Sequence, residues 1–335
     1  MWENVIIHPC TEDEERLALL CHQFQNINRS FNLAMPFDIE GVINYEILKT
    51  CFLEVIKNHT SLRSKFSIKD HNVIKLVTEE SYNYIDFSIE DLSTSTNSLA
   101  DIEVLYEQSQ DVERTLFGEC PLKFVLCKIS KDKHVGFISA HHLLGDYKSA
   151  VLVGIEVQQE YNQYFNKNNS LSQDRNLSVD ALALSTVTDE AKKSFSKYRD
   201  DIMITYNNIS PIRYKTQDIP ITKRSFELNK IMFEIPQNLI SAVQGFCSKH
   251  HFNEVSFYST AFALYLGRRE NCEQFLMGFP VDLRKGRINQ NAIGYLSKPI
   301  PVPITLRKSL PNDLISTVNR GIKKAIRDPE IVHDI

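Results

Sequence analysis

Gly136-Phe137-Ile138-Ser139-Ala140-His141-His142-Leu143-Leu144-Gly145-Asp146 is the stretch on which the reading of the whole chain turns. A mostly apolar run ends in two adjacent histidines, and an aspartate follows four residues after the second. Side chains alternate along a strand, so His142 is expected to share a face with Ala140, Ile138 and Gly136, and His141 with Ser139 and Phe137. The small residues before His142 leave room beside its imidazole. A histidine there, titrating near neutrality, suits a general base that takes a proton from an attacking hydroxyl or amine. Plainer readings compete. A strand-end histidine can be a satisfied core residue, and Asp146 can be an N-cap accepting from the amides of residues 148 and 149.

Outward from this stretch, strands and helices interleave in both halves. Residues 11–28 read as a helix with Thr11 and Glu14 as a capping box, and residues 31–40 as extended. Asn44 opens a periodic helix with Ile47, Leu48, Cys51, Phe52, Val55 and Ile56 on one face. Strands are expected at 65–68 and 73–77, a helix at 102–114, strands at 122–129 and 135–140, and a helix at 147–165. The Asn- and Ser-rich residues 166–180 read as a connection between an N-terminal lobe, 1–165, and a C-terminal lobe, 181–335. In the second lobe the expectations are a helix at 189–206, a strand at 230–234 and a helix at 237–251. A buried helix at 255–268, strands at 274–279 and 297–304, and a final helix from 313 to 335 complete it. The class is α/β, in the sense of an α+β sandwich with two lobes.

Composition narrows the function. Lys plus Arg number 38 against 42 Asp plus Glu, a net charge of −4 in 335 residues, so there is no basic excess to hold nucleic acid. The acidic N-terminus is no signal peptide, and no apolar run reaches the ~18–20 residues of a membrane span. Seven widely spaced cysteines with no CxxC pair read as reduced, buried thiols of a cytoplasmic protein. Cys247, His250 and His251 do not assemble a zinc ligand set, because Cys247 and His250 fall on the apolar stripe of their helix. Metal is therefore not expected. GxGxxG, Walker A and GxSxG stretches are all missing, which disfavours nucleotide-binding and serine-hydrolase chemistry.

Several motifs in order resemble the condensation-domain and HxxxD acyltransferase superfamily, whose fold is that of chloramphenicol acetyltransferase. Asn58-His59-Thr60-Ser61-Leu62-Arg63-Ser64-Lys65-Phe66 is similar to that family's RHxxLRtxF signature. Gly118-Glu119-Cys120-Pro121-Leu122-Lys123-Phe124 resembles its GPLxR strand, and His141-His142-Leu143-Leu144-Gly145-Asp146 matches HHxxxD. Gly278-Phe279-Pro280-Val281-Asp282-Leu283-Arg284 and Ile293-Gly294-Tyr295-Leu296 resemble a second-lobe pair, GxPVDxR and IGYF.

The resemblance implies acyl transfer from a thioester to an amine or alcohol, as in nonribosomal peptide synthesis. The donor would be acyl-CoA or the phosphopantetheine of an acyl carrier protein, with no permanently bound cofactor. His142 would be the general base, His141 a structural neighbour, and Asp146 would pair with Arg284 from the second lobe to hold the turn. Backbone amides opening the next helix would stabilise the oxyanion. The chain departs from the pattern where Tyr147 replaces a glycine. A tyrosine there narrows or closes the thioester channel, and Gly145 compensates by changing the backbone path. Ser297-Lys298 replaces the Asn that commonly follows IGxF, which alters a substrate-side contact. The competing reading is a catalytically inactive condensation-like module that binds a carrier protein or other partner. Against the family the chain is expected to be roughly a hundred residues short, leaving the second lobe incomplete.

Overall fold

The computed structural model of the chain describes residues 5–69, 72–78, 86–112, 114, 122–166, 209, 220, 233–284, 290–306 and 311–327. Among these, residues up to 166 together with 284 and 290–296 form one compact unit. Residues 233–283, 297–306 and 311–327 belong to a second.

The first unit runs β1 (Val5–Pro9), α1 (Glu12–Gln23), β2 (Asn32–Glu40), α2 (Tyr45–Asn58), β3 (Ser64–Lys69) and β4 (Asn72–Thr78). It continues with β5 (Asp86–Asp91), α3 (Ser98–Gln110), β6 (Lys123–Lys128), β7 (Lys133–His141) and α4 (Tyr147–Asn166). One sheet has the order β1-β4-β3 and is antiparallel; the other has the order β2-β7-β6-β5. In the second sheet β5 runs parallel to β6, joined to it across the α3 segment, while β2, β7 and β6 are antiparallel neighbours.

Strands β6 and β7 lie at the centre and are buried on both faces. Phe124, Leu126 and Ile138 join Phe52, Val55 and Ile56 of α2 and Val153 and Val157 of α4 in the main core. Val125, Cys127 and Phe137 point the other way, toward Ile102, Leu105 and Tyr106 of α3. Burial on both sides is why residues 124–127 form an unbroken apolar run instead of an alternating one. Helix α2 starts where Asn44 Oδ1 accepts the Ile47 amide hydrogen at 3.2 Å. At α1 the Thr11–Glu14 capping box is complete, with bonds of 2.8 and 3.2 Å. The same Glu14 forms a buried ion pair with Lys75 of β4 at 2.6 Å, tying the helix to the first sheet.

Some expected boundaries move. The helix expected over 11–28 ends at Gln23, and a 3-10 stretch, Gln25–Phe31, follows it. Asn and Ser are weaker helix formers than the Leu and Ala of α1, which favours leaving the helix here. Helix α3 starts four residues earlier than expected, where Asn97 caps it, and ends at Gln110, so Arg114 lies beyond it. Strands β1 and β5 were not expected; they are short strands of five and six residues at the edges of their sheets, with few residues to carry a pattern.

The second unit holds α5 (Gln237–His250), α6 (Glu254–Arg269), β8 (Gln274–Asp282), β9 (Ser297–Thr305) and α7 (Pro311–Arg327). β8 and β9 pair antiparallel, and Phe275, Met277, Ile300 and Val302 pack against Ala263 and Leu266 of α6 and Val318 and Ile322 of α7. The helix expected to be buried, α6, is buried on one side only. Ser256, Thr260, Ala263, Leu266 and Gly267 face inward, while Val255, Phe262 and Tyr265 are more than half exposed. An apolar pattern all round a helix does not say which stripe a neighbour covers. Residues 118–121, 167–180, 189–206, 230–232 and 328–335, which carry other expectations, lie outside the described residues. Among the described residues no helix is long and apolar enough to cross a membrane.

Candidate functional site

Strand β7 stops at His141, and His142 opens a 3-10 turn, His142–Leu144. The expected alternation therefore ends one residue before His142, whose direction is set by the turn. Two bonds close that turn. Gly145 N–H donates to the His142 carbonyl at 3.2 Å, and Leu143 N–H donates to His141 Nδ1 at 3.1 Å. Because Nδ1 accepts, the His141 proton sits on Nε2, which lies 3.9 Å from Cys21 Sγ. His141 is fully buried. Burial, with the charges of Arg114 and His142 adding to it, pushes its pKa down to about 3. It is a neutral brace for the turn. Arg114 is buried behind the strand end, where Nη2 donates to Ser139 Oγ at 2.8 Å and Ser139 Oγ donates to the Ser109 carbonyl at 2.7 Å.

Asp146 does two things at once. Its Oδ1 accepts the Ser149 amide hydrogen at 2.8 Å, capping α4. Its carboxylate also takes a two-pronged bond from Arg284, Nη1 to Oδ2 and Nη2 to Oδ1, both at 2.8 Å, with both side chains at most 1% exposed. Arg284 reaches it because residues 284 and 290–296 fold back onto the first unit, although they follow β8 in the sequence. Arg284 Nε donates to the Ala292 carbonyl at 2.7 Å, and Leu296 N–H donates to Asp146 Oδ2 at 3.3 Å.

Ser149 sits at the hub of this network. Its Oγ accepts from Arg284 Nη2 at 2.9 Å and from Gly294 N–H at 3.1 Å. Its one proton goes to Asp146 Oδ1 or to the Gly294 carbonyl, which lie 2.9 and 3.0 Å away. Gly145 makes this packing fit. A methyl group at that position would stand 2.8 Å from Ser149 Cβ. A cavity of about 30 Å3 under the turn is lined by Ala140, Leu144, Gly145, Asp146 and apolar neighbours.

The clamped segment brings Tyr295 to His142. Their ring centroids are 5.0 Å apart at an interplanar angle of 75°, edge to face. Tyr295 is pushed up to about 12, mainly by burial, so the phenol stays protonated. Burial holds His142 below the ordinary imidazole range, offset in part by the backbone at His142 and Gly145 and by the Asp146 carboxylate. His142 Nδ1 is buried with no hydrogen-bond partner among the described residues. Tyr147, the first residue of α4, is 70% exposed. Ser297 opens β9 opposite Asp282 in the second unit. The α4 amides are partly committed, since Ser149 N–H binds Asp146 Oδ1 and Ala150 N–H binds the Asp146 carbonyl.

His59 of the Asn58–Phe66 motif is buried and lies 2.7 Å from Glu156 Oε2, joining the end of α2 to α4. Ser149, Tyr295, Arg114 and Cys21 were not singled out from the sequence. Ser149 had a signal, standing three residues after Asp146 where a cap is received, and Tyr295 lay inside the IGYF-like motif. Arg114 and Cys21 had none. Among the described residues no group of three His, Cys, Asp or Glu side chains is placed to hold a metal ion, and the His250 ring lies 4.5 Å from that of Phe246.

Comparison with known proteins adds independent findings. A 281-residue alignment with bacitracin synthase 2 of Bacillus licheniformis is 19% identical and covers 82% of this chain and 10% of that protein. Gramicidin S synthase 2 of Aneurinibacillus migulanus is 25% identical over 155 residues, 46% of this chain and 3% of that one. The chain thus spans about a tenth or less of the curated relatives it matches. Among solved structures, the first condensation domain of the calcium-dependent antibiotic synthetase, in complex with a substrate analogue, superposes with a TM-score of 0.80. Its identity is 13%, over 97% of this chain and 78% of that one. A variant of the starter condensation domain of rhizomide synthetase, in complex with C8-CoA and Leu-SNAC, gives 0.75 at 16% identity, over 96% and 71%. These likenesses establish a shared mixed α/β fold. The model of the Condensation domain family matches residues 9–331, nearly the whole sequence, and the chain belongs to the condensation-domain family.

Proposed function

We propose that this chain transfers an acyl group from a CoA or carrier-protein thioester to an amine or alcohol, with His142 as general base. One observation carries the reading. An imidazole kept mainly neutral by burial, with Nδ1 turned inward, is mounted on a turn held by the Asp146–Arg284–Ser149 network. A neutral imidazole is the form that accepts a proton, and the bonded turn keeps its position from drifting during reaction. Nε2 takes the proton as the amine or hydroxyl attacks the thioester carbonyl. The tetrahedral intermediate collapses, the C–S bond breaks, and the proton passes from the imidazolium to the departing thiolate. The C8-CoA and Leu-SNAC of the rhizomide synthetase domain are ligands of the kind this reaction would use.

The test is thioester consumption by the purified chain. Acyl thioester and amine acceptor are incubated with wild type and with His142→Ala, and amide product is followed by mass spectrometry. A loss of about 10²-fold or more in His142→Ala, with an unchanged circular dichroism spectrum, is the expected result. Equal rates for the two proteins would rule out His142 as the base. No turnover by the wild type with either class of donor would favour a non-catalytic module.

A further inference from the structure

A larger cavity, of about 630 Å3, lies in the first unit between β2 and α4. Its walls are mainly apolar: Met35, Phe37 and Ile39 from β2 face Val151, Gly154 and Ile155 from α4. Tyr161 also lines it and is fixed by its hydroxyl, which accepts the Asn44 amide hydrogen at 2.8 Å. The volume is within the range of small-molecule sites and about four times the ~150 Å3 that holds a benzene. The cavity shares Phe52 and Ile138 with the small cavity beneath Gly145 and Asp146, so the two adjoin across those side chains.

Gly154 is a second and separate observation. It stands in the middle of a twenty-residue helix, where glycine weakens the helix relative to alanine. Close packing does not explain it, because a methyl group placed there meets nothing within 4 Å. What the missing side chain leaves is space in the cavity wall. The charge at the rim narrows the occupant further. Asp38 and Glu40 are exposed carboxylates that line the same cavity, and they disfavour an anionic head group there.

We propose that this cavity takes the aliphatic chain of a medium-chain acyl group carried through its uncharged thioester linkage, rather than an acetyl group or the carboxylate of a free fatty acid. The proposal rests on the acyl-transfer reading above and names the class of donor. Equilibrium binding tests it on the full chain, using octanoyl-N-acetylcysteamine, acetyl-N-acetylcysteamine and octanoate as probes. The octanoyl thioester is expected to bind about tenfold or more tighter than either of the others, because its extra methylenes are buried. Gly154→Phe, which fills the space, should remove that preference and leave the weak acetyl binding unchanged. Val151→Phe, three residues earlier on the same wall of α4, should act alike, and serves if Gly154→Phe does not fold by circular dichroism. Octanoyl binding no tighter than acetyl, or unaltered in a folded filling variant, overturns the proposal. Binding requires no turnover, so the two readings fail separately. Chain-length-dependent binding without product removes only the transfer reading, and product without that dependence removes only this one.

Discussion

Removing the Arg284 side chain gives a quantitative check on how the site is held. In Arg284→Ala the Asp146 carboxylate loses both 2.8 Å bonds from the guanidinium. It keeps the amide hydrogens of Ser149 and Leu296 and a shared hydroxyl, which are dipoles and carry no compensating charge. Ser149 Oγ loses one donor and the Ala292 carbonyl loses its 2.7 Å partner. Stranding a buried charge in this way costs ~3–5 kcal/mol. Arg284→Lys restores a charge but not the fork, and should lose about 1–3 kcal/mol. Urea unfolding followed by circular dichroism reads these losses, with a second probe to show that the transition is single. In the double variant Asp146→Ala/Arg284→Ala the total loss should be smaller than the sum of the single losses by about 2–3 kcal/mol, because the partners are in direct contact. Arg284→Ala within about 1 kcal/mol of wild type, or strictly additive losses, would falsify the pairing as the element that holds the turn.

Two further outcomes follow from the same turn. His141 has its pKa pushed down to about 3 in the folded chain, against 6.5 for an ordinary histidine. Above pH 6.5 neither state holds the proton, and below it the unfolded chain takes the proton first. Stability attributable to this group therefore falls by about 1.4 kcal/mol per pH unit from 6.5 toward 3. His141→Asn, whose amide oxygen can still accept from Leu143 N–H, should flatten the unfolding free energy over that range; an unchanged slope places the titration elsewhere. Gly145→Ala should cost about 1–3 kcal/mol in urea unfolding and lower any transfer rate, because the new methyl group pushes Ser149 out of its network. Gly154→Ala, which meets nothing, is the contrasting control and should be neutral or stabilise by about 0.5–1 kcal/mol.

Much of the local structure was legible. The capping box at Thr11, the cap at Asn44, the apolar face of α2 and the β6–β7 pair each rest on neighbours within a few residues, which sequence order displays. Strands β1 and β5 escaped because each is short and takes its hydrogen bonds from a partner distant in sequence. The direction of His142 escaped for a different reason. Strand periodicity is a rule for continuous strand, and the turn that ends β7 is held by the His141 ring and the Gly145 amide.

The amino-acid sequence by itself displayed the α/β pattern and the HHxxxD motif with Asp146, and its resemblance to the condensation family pointed to Arg284 as the partner of Asp146. Tertiary structure decided what these residues touch. It made Asp146 both a helix cap and an ion-pair partner, placed Ser149 at the centre of the network and set Tyr295 against His142. It also left a cavity where α4 carries a glycine. The physical reason is range: caps and amphipathic periods are local and readable in order. A buried carboxylate instead requires a cation from wherever the chain can deliver one, and here the cation comes from 138 residues away.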